Sequence, residues 1–348
     1  MQILTSEQVT EVCSRILEKV GVKPEDARLI GNYIAKTELY GVVVSGIQDL
    51  PGRVTAIQSG TVKPRAQWQF THDSSAVALI DGSWGIGEVV CTAATKIAMD
   101  RAKKAGLATV GICNVGYVGR LGQYTEAVAE NNMIGVLYCG VPSPMVAPWG
   151  GKTPVIGTNP LSFGMPTNGR PIVVDFATSA AAFGKVMSAF LRGETIPEGW
   201  IVNKEGNPTT DPRDYFTSEG EDTAGALLPA AGHKGYGLAI AVEILANVLT
   251  GSGYDGRLKT GNGIFLQVVN VESFIPLSDY FRRVDELVRR IKGSPKAAGF
   301  TEIMLPGEIE HRTAEKSRRE GISVPDRTWK DVVRLADELK VNLKEIIT

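Results

Sequence analysis

The chain has 348 residues, with 37 Lys plus Arg against 38 Asp plus Glu and a formal net charge of -1. It therefore lacks the basic excess of a nucleic-acid-binding protein. Hydrophobic residues are 43% and charged residues 22%, near globular averages, which argues against a disordered or membrane-embedded chain.

Glycine supplies 39 residues, above the usual ~7%. It concentrates in the middle of the chain, implying sharp turns or close backbone approach to a ligand. Cys13, Cys91, Cys113 and Cys139, with His72, His233 and His311, show no zinc-site spacing. Cys113 and Cys139 lie in apolar runs and read as buried thiols. The first twenty residues lack a charged-then-apolar leader, and no apolar run reaches about 18 residues. A cytoplasmic protein with no nucleic-acid or membrane partner is expected.

Residues 1–70 read as helical. Val9, Val12, Ile16, Leu17 and Val20 mark one helix face, with Thr5-Ser6 and Gln8 as its start. Pro24 opens a second helix through Ala27, Ile30, Ile34 and Leu39. Gly41–Gly46 and Leu50-Pro51-Gly52 read as breaks. From about residue 74 the pattern changes to alternating strand and helix. Strands are predicted at 76–81, 107–113 and 134–141, with helices running to about Ala105 and over 119–132. Strands 161–166 and 171–176 flank Asn168-Gly169, a hairpin signal that adds antiparallel pairing. Further helices are predicted over 180–191, 234–249 and 279–292, a strand over 263–271, and an amphipathic tail over 326–347. The pattern predicts an α/β layer structure. A discontinuous helical domain (1–72 and 290–348) is expected to pack on an α/β domain (73–289).

The familiar GxGxxG fingerprint and the Walker loop are absent. Gly85-Ile86-Gly87 lies between a strand and a helix, but its spacing fits a tight turn better than a phosphate loop. Three denser clusters carry the chemistry. The first is Val146–Gly151, continuing to Gly157-Thr158-Asn159-Pro160-Leu161. The second is Val174–Ser179, continuing to Gly184-Lys185. The third is Gly232-His233-Lys234-Gly235-Tyr236-Gly237. Thr178 and Ser179 are candidate caps for the next helix, whose N-terminus would receive an anion such as a pyrophosphate.

These segments, together with Ile196–Trp200, Pro208–Pro212 and Leu305-Pro306-Gly307-Glu308, resemble the malate/L-lactate dehydrogenase family of NAD(P)-dependent oxidoreductases. The resemblance runs from residue 1 to about 340. It implies a homodimer and a three-layer α/β/α, non-Rossmann cofactor domain with a mixed sheet, which accounts for the missing fingerprint. It implies NAD or NADP as cofactor, bound by Asp175, Phe176, Ala177, Thr178, Ser179, Ala180, Ala181, Lys185, His233, Lys234, Gly307, Glu308 and Ile309. Pro142 and Ser143 are weaker candidates.

The departures concern the substrate pocket. The family's pocket histidines are replaced by Ser45 (in Val44-Ser45-Gly46) and Tyr117 (in Asn114–Gly122), an arginine by Asp49, and another by Phe183. Tyr117 is the candidate proton donor, provided a nearby cation lowers its pKa from about 10. Ser45 is the candidate hydrogen-bonding partner of the substrate, and Thr158 a further substrate contact. Asp49 repels an anion, and Arg53 and Arg120 are candidate replacement charges. The expected activity is hydride transfer to the C2 carbonyl or imine of a small organic acid. The alternatives are a cofactor-binding homologue without turnover and an enzyme using NAD(P) in a redox-neutral reaction.

Overall fold

The computed structural model describes residues 1–216, 225–253 and 261–347. It opens with strand β1 (Gln2–Leu4) and helices α1 (Ser6–Lys19), α2 (Pro24–Leu39) and α3 (Leu50–Gln58). Next come β2 (Gln69–Asp73), β3 (Val77–Gly85), α4 (Gly87–Ala105), β4 (Leu107–Val115), α5 (Gly122–Glu130) and β5 (Met133–Gly140). The hairpin β6 (Leu161–Met165) and β7 (Ile172–Phe176) leads to α6 (Phe183–Arg192). Short strands β8 (Ile201–Val202), β9 (Pro208–Thr209) and β10 (Ala226–Leu227) precede α7 (His233–Val242), which continues as a π-helical segment over Glu243–Val248. The chain ends with β11 (Asn262–Asn270), α8 (Leu277–Lys292), α9 (Glu308–Glu320), β12 (Ile322–Val324) and α10 (Asp326–Glu338).

Thr5 opens α1 with a reciprocal capping box, its side chain accepting from Gln8 N–H and the Gln8 side chain from Thr5 N–H. Val9, Val12, Ile16 and Leu17 are fully buried, as their spacing predicts. Leu50-Pro51-Gly52 does not break the chain. It starts α3, because proline in a first turn has no intrahelical hydrogen bond to lose. Nor are residues 1–70 helical throughout. β1 pairs antiparallel with β12, and β2 pairs with β3 at a sheet edge. Both strands are too short or too polar to show an alternating apolar pattern. The terminal elements share one core, in which Leu4, Ile16, Ile34 and Leu50 pack with Ala314, Val324 and Val332.

The seven-stranded sheet has the order β2-β3-β4-β11-β5-β6-β7. Only β3 and β4 pair in parallel. Paired glycines set how closely helices approach each face. Gly135 of β5 opposes Gly164 of β6, and α5 packs there so closely that added Cβ atoms would meet Thr125 and Val128. Five residues along β5, and so on the opposite face, Gly140 opposes Gly263 of β11. A Cβ at either position would strike Asn247, in the π-helical segment after α7. Helices thus cover both faces in three layers. No helix among the described residues is long and apolar enough to cross a membrane.

Glu38, near the end of α2, is only 6% exposed and accepts Ile47 N–H at 2.8 Å. Burial raises its pKa to about 7, against the opposing effect of that hydrogen bond. The native state therefore binds this proton more tightly than the unfolded chain does. The associated stability is complete below the ordinary pKa of about 4.5 and is lost as pH rises through about 7. Glu38→Gln keeps an acceptor for Ile47 without the charge. It is expected to leave stability nearly unchanged at pH 4 and to raise it by about 2–3 kcal/mol at pH 8, measured by denaturant unfolding at both pH values.

Candidate active site

Two single helical turns, Val43–Ser45 and Ile47–Asp49, follow α2. Gly46 separates them, and a Cβ there would collide with the Glu38 carboxylate that holds Ile47. Val44 packs on Gly184 at the start of α6, where no side chain would fit. The Ser45 loop is thereby fixed between the terminal helices and the α/β layers. On the sheet side, Tyr117 lies in the loop after β4, its backbone seated on Gly87 at the start of α4. These two anchors bring the Tyr117 hydroxyl to Ser45, donating to its Oγ at 2.7 Å.

Beneath them lies a buried cation. The Arg53 side chain, on α3, is 8% exposed and donates from Nη1 to Oε1 of Glu88 in the first turn of α4. Its Nε lies 3.2 Å from Asp49 Oδ2. Its guanidinium carbon sits 4.8 Å from the centre of the Tyr117 ring, in cation–π geometry. Burial raises Asp49 to about 6, with Arg53 pulling it down and Glu88 pushing it up. The Tyr117 phenol is also held above its ordinary range, first by burial and then by Asp49. Because 41% of the tyrosine is exposed, that burial reflects the crowded floor under the ring rather than full enclosure. The sequence leads one to expect a cation lowering this pKa. Arg53 does act in that direction, as does the bond to Ser45, but burial and Asp49 outweigh them. Tyr117 therefore holds its proton through neutral pH. Asp49, Arg53, Glu88 and Tyr117 line a cavity of about 270 Å³ whose other walls are mainly apolar.

Arg120 lies elsewhere, in a second cavity of about 310 Å³ that also contains Asp175, Phe176, Gly307 and Ile309. Its Nη2 donates to Glu126 Oε2 at 3.1 Å, and its Nη1 is 3.9 Å from Asp175 Oδ2. Tyr40 donates to Glu126 Oε1 at 2.7 Å, and Lys36 Nζ lies 3.1 Å from Glu126 Oε2. Asp175 accepts Gly122 N–H at 2.7 Å, yet burial raises it to about 6, against Arg120 and that hydrogen bond. Among the described residues, Arg120 Nε is buried without a hydrogen-bond partner. Glu308 is not among the residues lining this cavity, because its carboxylate holds Lys292 and accepts Leu305 N–H at 3.0 Å. Tyr40, Glu126 and His311 also line the cavity, and none of the three was among the residues expected from the sequence. His311 is one of only three histidines, the one signal that could have marked this segment.

The glycine-rich clusters converge on a third neighbourhood. Thr158 C=O accepts both the N–H and the hydroxyl of Thr178 at 3.0 Å. Thr178 C=O accepts Ala230 N–H at 2.8 Å, and Ala180 N–H donates to Leu228 C=O at 2.7 Å. A Cβ on Gly235 would meet the Thr178 and Ala230 carbonyls, so α7 starts against this strand exit with His233 and Lys234 exposed. Pro142 and Ser143 follow β5 nearby, where Asn159 Oδ1 accepts Val141 N–H at 3.0 Å. The expectation that Thr178 and Ser179 cap the next helix fails. Their hydroxyls bond Thr158 C=O and Ala181 C=O, and α6 starts at Phe183 after Ala182 with no side-chain cap. Lys185, in the first turn of α6, points to solvent.

A solvent-reachable phenol and hydroxyl over a buried ion cluster, on a three-layer α/β frame, form an enzyme-like site. Residues 4–333 match the malate/L-lactate dehydrogenase family. The malate/(S)-sulfolactate dehydrogenase of Methanothermus fervidus is 34% identical over 98% of this chain and 99% of its own length. The sulfolactate dehydrogenase structure from Methanocaldococcus jannaschii superimposes with a TM-score of 0.90 at 33% identity, covering 100% of both chains. The ureidoglycolate dehydrogenase (NAD(+)) of Escherichia coli is 29% identical over 95% of each chain. The chain belongs to the malate/L-lactate dehydrogenase family and is an enzyme of that family.

Asn159 fastens the Thr158 segment. It is fully buried, and its Nδ2 donates to Ala239 C=O at 3.1 Å and to Glu243 Oε2 at 2.6 Å. Asn159→Leu leaves the Val141 N–H and Ala239 C=O without these partners. It is expected to cost about 2–4 kcal/mol in denaturant unfolding.

Proposed function

We propose that the protein is an NAD(P)-dependent oxidoreductase that moves a hydride between nicotinamide and the C2 carbonyl or imine carbon of a small organic acid. The family assignment and the names of its relatives, which act on malate, sulfolactate and ureidoglycolate, support this reading. The observation that carries it is the Tyr117–Ser45 hydrogen bond at 2.7 Å, at the positions where the family's pocket histidines are expected.

The described residues suit a dinucleotide. The Arg120 cavity holds a buried guanidinium nitrogen without a partner, and exposed Phe176 and Ile309 offer apolar surface beside it. Lys185, His233 and Lys234 are exposed basic groups available to phosphate. In this reading Pro142, Ser143, Asp175 to Ala181, Lys185, His233, Lys234 and Gly307 to Ile309 hold the cofactor, and bound NAD or NADP supplies the hydride carrier.

The protein's own residues manage the proton and the substrate. Tyr117 keeps its hydroxyl protonated and is the acid of the reductive direction. Ser45 accepts that hydrogen bond, so its own O–H is free to point at substrate. Thr158, which does not line the Tyr117 cavity, positions the Thr178 segment of the cofactor site in this reading. Neither Arg53 nor Arg120 is a free clamp for a carboxylate, since each is already paired with two acidic side chains. A protonated imine needs no further proton at its reacting group, so an imine suits a pocket without histidine better than a ketone does.

A homodimer is part of this reading. Leu238, Ile240, Ile244, Val248 and Leu249 are exposed along α7 and the turn after it. Among the described residues of α8, an amphipathic helix, no side chain is fully buried, and Leu287 is 52% exposed. Apolar faces of this extent mark subunit contacts.

Tyr117→Phe is expected to lower kcat by about 10²–10³ on a ketone substrate with little change in KM, and far less on a protonated cyclic imine. Nicotinamide absorbance under steady-state conditions tests this, and equal losses on both substrates would remove Tyr117 as the acid. Light scattering behind size exclusion should give twice the chain mass for the native protein and a single chain mass for Ile244→Asp with Val248→Asp.

A further inference from the structure

We infer that the substrate presents a cationic nitrogen, a protonated amine, to Asp49 at the polar end of the Tyr117 cavity. This names the substrate class of the site proposed above and rests on that reading.

The cavity's charges do not balance. Arg53 is its single cation among the lining residues, against the carboxylates of Asp49 and Glu88. Arg53 is oriented toward Glu88, to which it donates, whereas its contact with Asp49 is an ion pair without hydrogen-bond geometry. The Asp49 carboxylate accepts no hydrogen bond from the described residues, and its side chain is 35% exposed. It is therefore a reachable anion with unused acceptor capacity. A second observation points the same way. Glu88 is 1% exposed and lines the cavity, yet its Oε2 is buried with no hydrogen-bond partner among the described residues. A buried carboxylate oxygen without a donor is costly, and an N–H donor from a ligand relieves that cost.

The rest of the cavity fits the other half of such a molecule. Leu17, Ile30, Ile57 and Val62 form apolar walls, suited to a small hydrocarbon body whose charged head rests on Asp49. Arg53 Nε is also buried without a hydrogen-bond partner among the described residues, but one guanidinium stands against two carboxylates, so a carboxylate ligand in the same position would face net negative charge and the pocket discriminates by repulsion as well as by attraction.

Three probes of one shape separate the possibilities: cyclohexylammonium, cyclohexanol and cyclohexanecarboxylate, each titrated calorimetrically into the whole protein at pH 8. The cation is expected to bind at least about tenfold more tightly than either of the others. Asp49→Asn should remove that advantage, and Asp49→Arg should transfer it to the carboxylate. The native-protein comparison stands even if a variant fails to fold. Tighter binding of the carboxylate or the alcohol, no heat from any probe, or undiminished cation binding in folded Asp49→Asn would overturn the inference. Titration of NADH and NADPH in the same buffer keeps the outcomes distinct. Nucleotide binding without cation preference defeats this inference alone, whereas absence of nucleotide binding defeats the oxidoreductase reading.

Discussion

A buried guanidinium ties α3 to α4, alongside the Tyr40 and Lys36 contacts that tie α2 to Glu126 of α5. Arg53 comes from α3 in the terminal helices, and its principal partner, Glu88, comes from the first turn of α4 on the sheet. Neither group is stable alone at that depth, because an uncompensated buried charge costs several kcal/mol. The pair therefore fixes α3 against α4. Asp49 and the Tyr117 ring complete the shell around the cation. The site's geometry follows from this constraint: Tyr117 rests on Arg53, and Ser45 meets Tyr117 because the loop after α2 is held by Glu38 and Gly184.

The same constraint explains the site's chemistry. A free arginine would serve as an anion clamp, but the charge of Arg53 is already opposed by Glu88 and Asp49. The burial that makes the ion pair necessary also keeps the phenol protonated, with Asp49 reinforcing it. The pocket thus combines a phenol that is slow to ionise with a net acidic floor. The proposed preference for a hydride acceptor that arrives positively charged rests on both features.

Much of the architecture was legible in the residues. The periodicity of α1 and α2, the strand–helix alternation and the Asn168-Gly169 hairpin all follow from local rules that the packing respects. What escaped was set by distance in sequence or by polarity. β1 and β12 are three residues each and lie more than 300 residues apart. α9 buries only Ala314 and so shows no apolar stripe. Thr178 and Ser179 have the chemistry of helix caps, but tertiary bonds to Thr158 and Ala181 claim their hydroxyls. In the site, Ser45 and Tyr117 were singled out because the family resemblance leads one to expect histidines there. Glu88 carried no such mark, since an acid in a first helical turn ordinarily complements the helix dipole. Its role emerges only when α4 is laid against α3.

A double-mutant cycle on Arg53 and Glu88, with each changed to Met singly and together, measures by denaturant unfolding whether this pair holds α3 against α4. Arg53→Met strands the buried Glu88 carboxylate and should cost about 3–5 kcal/mol, whereas Glu88→Met leaves Arg53 with Asp49 and should cost less. The double change should recover most of that loss, giving a coupling of at least about 2 kcal/mol. Losses that simply add would show that the two residues do not depend on each other, and the account of how the site is held would be wrong.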